Sequence, residues 1–205
     1  MFNFYEFVYG INWLISQDCK KDNNSIVLLK ESVLSCVKCR LAENRTNVVF
    51  GEGSLHAKLM FIGEGPGAEE DIQGRPFVGR AGKLLDKMIL AMGLTRDAVY
   101  IANIVKCRPP DNRAPFRDEA ELCKPYLIEQ INMIKPELII CLGSIATNYL
   151  LNVNVSITKV RGSQQEFQGI PVIPTYHPAY LLRSPGKKGE AWEDLKKAMA
   201  FLHLL

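Results

Sequence analysis

The hydrophobic pattern divides the chain into short apolar runs alternating with helically spaced stretches. AKLMFIGEG is apolar for a few residues and ends in glycine, which predicts a buried strand feeding a loop. AGKLLDKMILAMG places Leu84, Leu85, Met88, Ile89 and Met92 on one helical face, with Gly93 as the stop. AVYIANIVK predicts a second strand, PELIICLGS a third and IPVIPTYHP a fourth. Between them, FRDEAELCKPYLIEQINMIK predicts a long helix that Pro125 bends or splits. SIVLLKESVLSCVKCRLAENR predicts a helix near the N-terminus, and EAWEDLKKAMAFLHLL closes the chain with Trp192, Leu195, Met199 and Leu202 on one side. Strands alternating with helices imply an α/β fold with a mostly parallel sheet covered on both faces. Ligands of such sheets bind outside the carboxyl ends of the strands.

Composition narrows the class without naming a chemistry. At 205 residues, 47% hydrophobic and 23% charged, the chain suits one well-buried domain. A net charge of +3 permits a nucleic-acid partner and does not by itself argue for one. There is no repeat, and no apolar run approaches the length of a membrane span. The aromatic N-terminus, MFNFYEFVYGINWLISQDCKK, lacks the basic start and clean apolar core of a signal peptide, so the cytoplasm is the expected location. Residues 1–32 are expected to be a helical extension of unknown role, and residues 33–205 a single domain. A monomer is expected, since no association stripe is evident.

Four of the six cysteines form a pattern: Cys36 and Cys39 as a C-x-x-C, Cys107 after the second strand, and Cys123 inside the long helix. A local pair and two distant singles would let one small object tie the N-terminal region to two central elements. Four thiolates suit an iron–sulfur cluster or a structural zinc, and inside a cell they stay reduced. Unrelated core thiols are the plainer alternative, and Cys141 is read as one.

Other unusual residues collect at predicted strand ends. GEGPGAEED exposes backbone N–H groups around Glu64 and Gly65, but Glu69, Glu70 and Asp71 follow at once and would repel a polyphosphate. GRPFVGRAG sets Phe77 between glycines and arginines, placed to stack on a planar ligand or to anchor its loop. ANIVKCRPPDNRAP carries Asn103, whose amide matches a nucleobase edge, followed by Lys106, Arg108, Asn112 and Arg113 in a stiff basic loop suited to phosphate. TYHPAYLLR places His177 at a strand end as a donor to developing negative charge. Leu181 and Leu182 beyond it either wedge into a duplex from an exposed loop or bury one helix face each.

Together, GEGPGAEED, GRPFVGRAGKLLD, NIVKCRPPDNRAP and HPAYLLR resemble the motifs of the family 4, iron–sulfur uracil-DNA glycosylases, over about residues 33–205. The resemblance implies a three-layer α/β/α sandwich on a parallel four-stranded sheet. It implies a 4Fe–4S cluster held by Cys36, Cys39, Cys107 and Cys123, uracil-containing DNA as partner, and free uracil as product in base excision repair. Phe77 would stack on uracil, Asn103 would read its edge, and Gly65 and Asn112 would contact it. His177 would stabilise the departing anion, Glu64 would serve the water or the sugar cation, and Glu70 would exclude the thymine methyl. Arg108, Arg113, Leu181 and Arg183 would contact DNA. No insertion or histidine follows the phenylalanine motif, so ordinary turnover without a covalent product is expected. The competing readings are a redox protein built on the cluster and a DNA-binding module without catalysis.

Overall fold

The computed structural model describes residues 25–204. The aromatic segment expected to form an N-terminal helix lies outside the described residues, as does Cys19.

Six strands form one sheet: β1 (Glu52–Gly53), β2 (Leu59–Gly63), β3 (Tyr100–Asn103), β4 (Leu138–Leu142), β5 (Gln165–Phe167) and β6 (Ile170–Thr175), in the order β1-β3-β2-β4-β6-β5. The inner four, β3-β2-β4-β6, are parallel, and β1 and β5 pair antiparallel at the two edges. The four expected strands are therefore the parallel centre of a sheet two strands wider. The edge strands are only two and three residues long and half-exposed, too short to leave a period-two pattern.

Strand alternation sorts the core into two sides. Met60 and Ile62 of β2, with Ile139 and Cys141 of β4, face one cluster. This cluster takes in Ile26, Leu29 and Val33 of the helix over 25–34 (α1), Leu127 and Ile131 of α4 (Arg117–Ile134), and Ala146 and Leu150 of α5 (Gly143–Leu151). Leu59, Phe61, Leu138 and Ile140 face the other, which is built on α3 (Arg80–Ala91), α7 (Pro178–Arg183) and α8 (Lys188–Phe201). This is the expected three-layer sandwich. Two short helices complete it, α2 (Ala68–Gln73) and α6 (Ile157–Val160).

Several local expectations meet the structure directly. Leu85, Met88, Ile89 and Met92 are buried, and Gly93 ends α3 with φ +77°. Pro125 sits within α4 without splitting it. The expected boundary after residue 32 falls inside α1, whose buried face belongs to the body. Helix α5 was not foreseen: it begins at Gly143 directly after β4, with no polar linker to mark its start.

Because β2, β3, β4 and β6 run parallel, their carboxyl ends share one edge. The chain steps from β2 to β3 on one side and then crosses to β4 on the other. The crevice where strand order reverses is where such sheets bind ligands.

Candidate active site

A cavity of about 520 Å³ opens at that edge. Nine of the residues singled out from sequence line it: Glu64, Gly65, Glu70, Phe77, Asn103, Asn112, Arg113, His177 and Arg183. Four separate stretches of chain supply them, which is why no single motif could have specified the site.

Gly63 ends β2 beside Asn103, the last residue of β3. The Asn103 side chain is 1% exposed, and its Oδ1 has no hydrogen-bond partner among the described residues. An unpaired buried amide oxygen costs stability unless something else satisfies it. Its position on the cavity makes a ligand hydrogen bond the natural complement.

Phe77 is 6% exposed and also lines the cavity, so it anchors its loop and presents its ring at once. Its φ of +50° is strained for a residue with a Cβ. Two side chains impose that conformation. Glu70 Oε1 accepts from the backbone N–H groups of Val78 (2.9 Å) and Gly79 (3.0 Å), while Oε2 accepts from Gly67 N–H (3.2 Å). Arg96 donates to the carbonyls of Pro76 and Phe77, and is itself held by Glu52 (2.9 Å) and Asp86 (2.8 Å). Arg75 also grips Glu52, and the two guanidinium groups hold that carboxyl down at about 2. The acidic run after the glycine loop is thus occupied with backbone. Glu70 staples two loops, and buried Asp71 accepts from Thr46 and Asn47 N–H.

His177 caps α7. Its Nδ1 accepts from Ala179 N–H at 3.1 Å, so the neutral ring carries its proton on Nε2. Burial, helped by the Arg183 charge and opposed by Glu70, lowers its pKa to about 4. At neutral pH the ring is an uncharged donor, 5.7 Å centroid to centroid from Phe77. The Glu64 carbonyl accepts from Val105 N–H (3.2 Å), while its carboxylate makes no hydrogen bond or ion pair among the described residues, and burial raises that carboxyl above the usual range.

Two expectations are corrected. Leu181 does not stand on an exposed loop: it is 1% exposed, inside the second core cluster, because α7 turns that face inward. Leu182 and Arg183 are the residues of that pair of turns nearer the surface. Lys106 is not in a solvated basic loop: it is 1% exposed, with Nζ donating to Asn103 O (3.0 Å) and Gln130 Oε1 (2.6 Å). A lysine inside the apolar run IANIVKC was the available signal. Arg108 does not line the cavity but donates to Asn112 Oδ1 (2.8 Å). Arg113 does line it, with its guanidinium paired to buried Glu119 and stacked 3.8 Å from the Phe116 ring.

The four patterned cysteines meet at a second place. Cys36, Cys39, Cys107 and Cys123 line one largely apolar pocket between the turn after α1, the end of β3 and α4. Among the described residues, no three metal-binding side chains converge tightly enough for a single ion. Two donors face sulfur there: Arg45 Nη1 to Cys107 Sγ (3.2 Å) and Lys106 N–H to Cys123 Sγ (3.3 Å). Burial raises the Cys107 thiol and takes Cys123 to about 11. Four thiols round one pocket, with N–H donors to sulfur and no carboxylate in its lining, fit a sulfur-ligated cluster in their chemistry. Cys141 is fully buried in the core, as expected.

The profile of the Uracil DNA glycosylase superfamily matches residues 50–196. A type-4 uracil-DNA glycosylase of Thermotoga maritima is 48% identical over 179 residues, covering 85% of this chain and 93% of that one. Its counterpart in Sulfurisphaera tokodaii is 49% identical, covering 85% and 83%. That of Archaeoglobus fulgidus is 43% identical, covering 80% and 87%. The matched span contains every cavity-lining residue named above, and the chain belongs to the uracil-DNA glycosylase superfamily, alongside its type-4 members.

Proposed function

We propose that the chain excises uracil from DNA by hydrolysing the N-glycosidic bond of deoxyuridine, leaving an abasic site for base excision repair. The observation that carries this reading is the pairing of an unsatisfied buried amide, Asn103, with a neutral Nε2–H donor, His177, on one cavity beside the Phe77 ring.

The target nucleotide leaves the stack and enters the cavity. Phe77 stacks on the base. The Asn103 amide hydrogen-bonds the O4 and N3–H edge of uracil, and cytosine presents the opposite donor and acceptor there. Glu70 walls the cavity and excludes the thymine methyl; Asn112 and the Gly65 backbone complete the contacts. As the C1′–N1 bond breaks, its electron pair passes to the base and negative charge grows on O2, where His177 Nε2–H and backbone N–H groups receive it. A neutral donor suits this task, because it stabilises the anion without having to give up its proton. Glu64 faces the cationic sugar and orients the water that attacks C1′, and the proton this water loses neutralises the departing uracil anion. Leu182 and Arg183 on α7, with Arg108 and Arg113 across the mouth, meet the DNA backbone and the gap left by the base.

Cys36, Cys39, Cys107 and Cys123 would hold a 4Fe–4S cluster, whose contribution is to fasten residues 36–45 to β3 and α4. The working unit is one glycosylase domain that takes in α1 with the expected 33–205, preceded by an N-terminal extension, monomeric and cytoplasmic.

The test is cleavage of an oligonucleotide carrying a single uracil, beside thymine and cytosine controls, with alkali to cut abasic sites. Scission at uracil alone supports the reading. No scission by a brown, folded preparation overturns it and favours a cluster-bearing DNA-binding or redox protein.

A further inference from the structure

Lys106 lies behind the cavity rather than in it, and among the described residues it forms no salt bridge. Its Nζ donates to two neutral acceptors, Asn103 O and Gln130 Oε1. Gln130 is itself fully buried, and its Nε2 donates to Phe50 O (2.9 Å) and Tyr100 Oη (3.1 Å). A buried ammonium without a carboxylate partner is costly, and an apolar side chain of similar length would fill the space at less expense in stability. What the lysine adds is direction. It bends back three residues to grip the main chain of the one residue whose amide must be held for base reading. Its own N–H meanwhile donates to Cys123 Sγ on α4.

We infer that Lys106 is a positioning residue for the reaction: it fixes Asn103 from behind and ties that register to the cysteine site. The inference rests on the reading of the cavity as a uracil pocket and adds a residue that never touches the base. The Lys106–Gln130 pair anchors the end of β3 to α4, so the Asn103 amide stays aligned when a base enters. A misalignment of about 1 Å costs on the order of a hundredfold in rate.

The test compares wild type, Lys106→Met and Lys106→Gln as full-length, metal-loaded proteins. Three quantities are read: single-turnover excision, inhibition by free uracil, and affinity for DNA with a tetrahydrofuran abasic site. Lys106→Met is expected to excise about ten- to a hundredfold more slowly and to bind free uracil more weakly by a similar factor. Its affinity for baseless DNA should be unchanged, which a general loss of structure would not allow. Lys106→Gln keeps a donor toward Asn103 and should recover part of both losses. Should Lys106→Met not fold, Gln130→Met, which leaves the lysine one acceptor, should show a smaller drop in the same two quantities. Excision and uracil affinity equal to wild type in folded Lys106→Met, or in folded Gln130→Met where it stands in for that variant, overturn the role. So does the failure of both methionine variants to fold, which would make the pair a core-stability element. A wild type that leaves uracil uncut defeats the underlying reading instead.

Discussion

Asn103 occupies the room that any side chain at Gly63 would need: a Cβ there would lie 2.4 Å from Asn103 Oδ1 and 2.5 Å from Phe77 Cζ. The two groups proposed to read and stack on the base are thus packed against a bare backbone on the neighbouring strand. Gly63→Ala forces one of them aside. The fold should survive, since the displaced groups border a cavity, while single-turnover excision should drop about a hundredfold. Excision at the wild-type rate in the alanine variant would show that the packing of Asn103 and Phe77 is not what sets the rate.

The unpaired Asn103 oxygen gives stability and activity opposite signs. Asn103→Leu replaces a buried amide by an apolar side chain of nearly the same shape, removing a polar atom with no partner. Thermal unfolding should be unchanged or shifted upward by the equivalent of about 1 kcal/mol, while uracil excision is lost. A variant that is both unstable and inactive would mean the amide supports the fold rather than the ligand.

Glu70 should behave as a staple. Its three backbone acceptor contacts hold the glycine loop against the strained Phe77 loop. Glu70→Ala frees three N–H groups and should cost about 1–3 kcal/mol in denaturant unfolding, with excision falling in parallel. Glu70→Gln keeps one carbonyl oxygen for Val78 and Gly79 and should lose less of both. Full stability in Glu70→Gln with excision as poor as in the alanine variant would shift the emphasis from loop geometry to the carboxylate charge.

The central strands and the three helices α3, α4 and α8 were legible from their buried faces, as in LMFIG of β2 and the Leu85–Met88–Ile89–Met92 stripe of α3. The cavity was legible for a different reason: residues such as Asn103 and His177 break the local pattern at strand ends, and a parallel sheet brings those ends to one edge. What sequence could not settle was direction. Nothing in HPAYLLR says which leucine α7 turns inward, and the structure buries Leu181. Charge misled in the same way, because Lys106 reads as surface until its buried acceptors are seen. The acidic run after the glycine loop reads as repulsive to a polyphosphate, but its sequence does not show that Glu70 and Asp71 accept from backbone N–H groups of two other loops.

The pH response should carry the signature of His177. Its folded pKa of about 4 lies below the ordinary 6.5, chiefly through burial. As pH falls below 6.5 the unfolded chain takes up the proton first, so stability contributed at neutral pH is lost progressively between about 6.5 and 4. Above 6.5 the group contributes no slope. His177→Asn should flatten the difference in urea midpoint between pH 7 and pH 5 relative to wild type. The excision rate of wild type should show no break near 6.5, since the ring is already neutral on both sides of that value. A rate that rises as the pH drops through 6.5 would mean the imidazolium is the working form.

The cysteine pocket makes a prediction in which stability and colour travel together. Burial disfavours thiolate at Cys107 and Cys123, so four unliganded thiols leave an apolar pocket with little to bind the turn after α1 to α4. The proposed cluster would hold them as thiolates and cross-link three elements distant in sequence, so that its binding free energy would become folding free energy. Cys123→Ser should abolish broad absorbance near ~400 nm and lower the unfolding midpoint, most of all for protease cleavage within 36–45. Iron and acid-labile sulfide measured on the wild type should each approach four per chain, as a 4Fe–4S cluster requires. A colourless wild type with one zinc per chain would replace the cluster with a structural ion while leaving the cross-link intact. Wild-type stability in a metal-free Cys123→Ser variant would remove the cross-link itself.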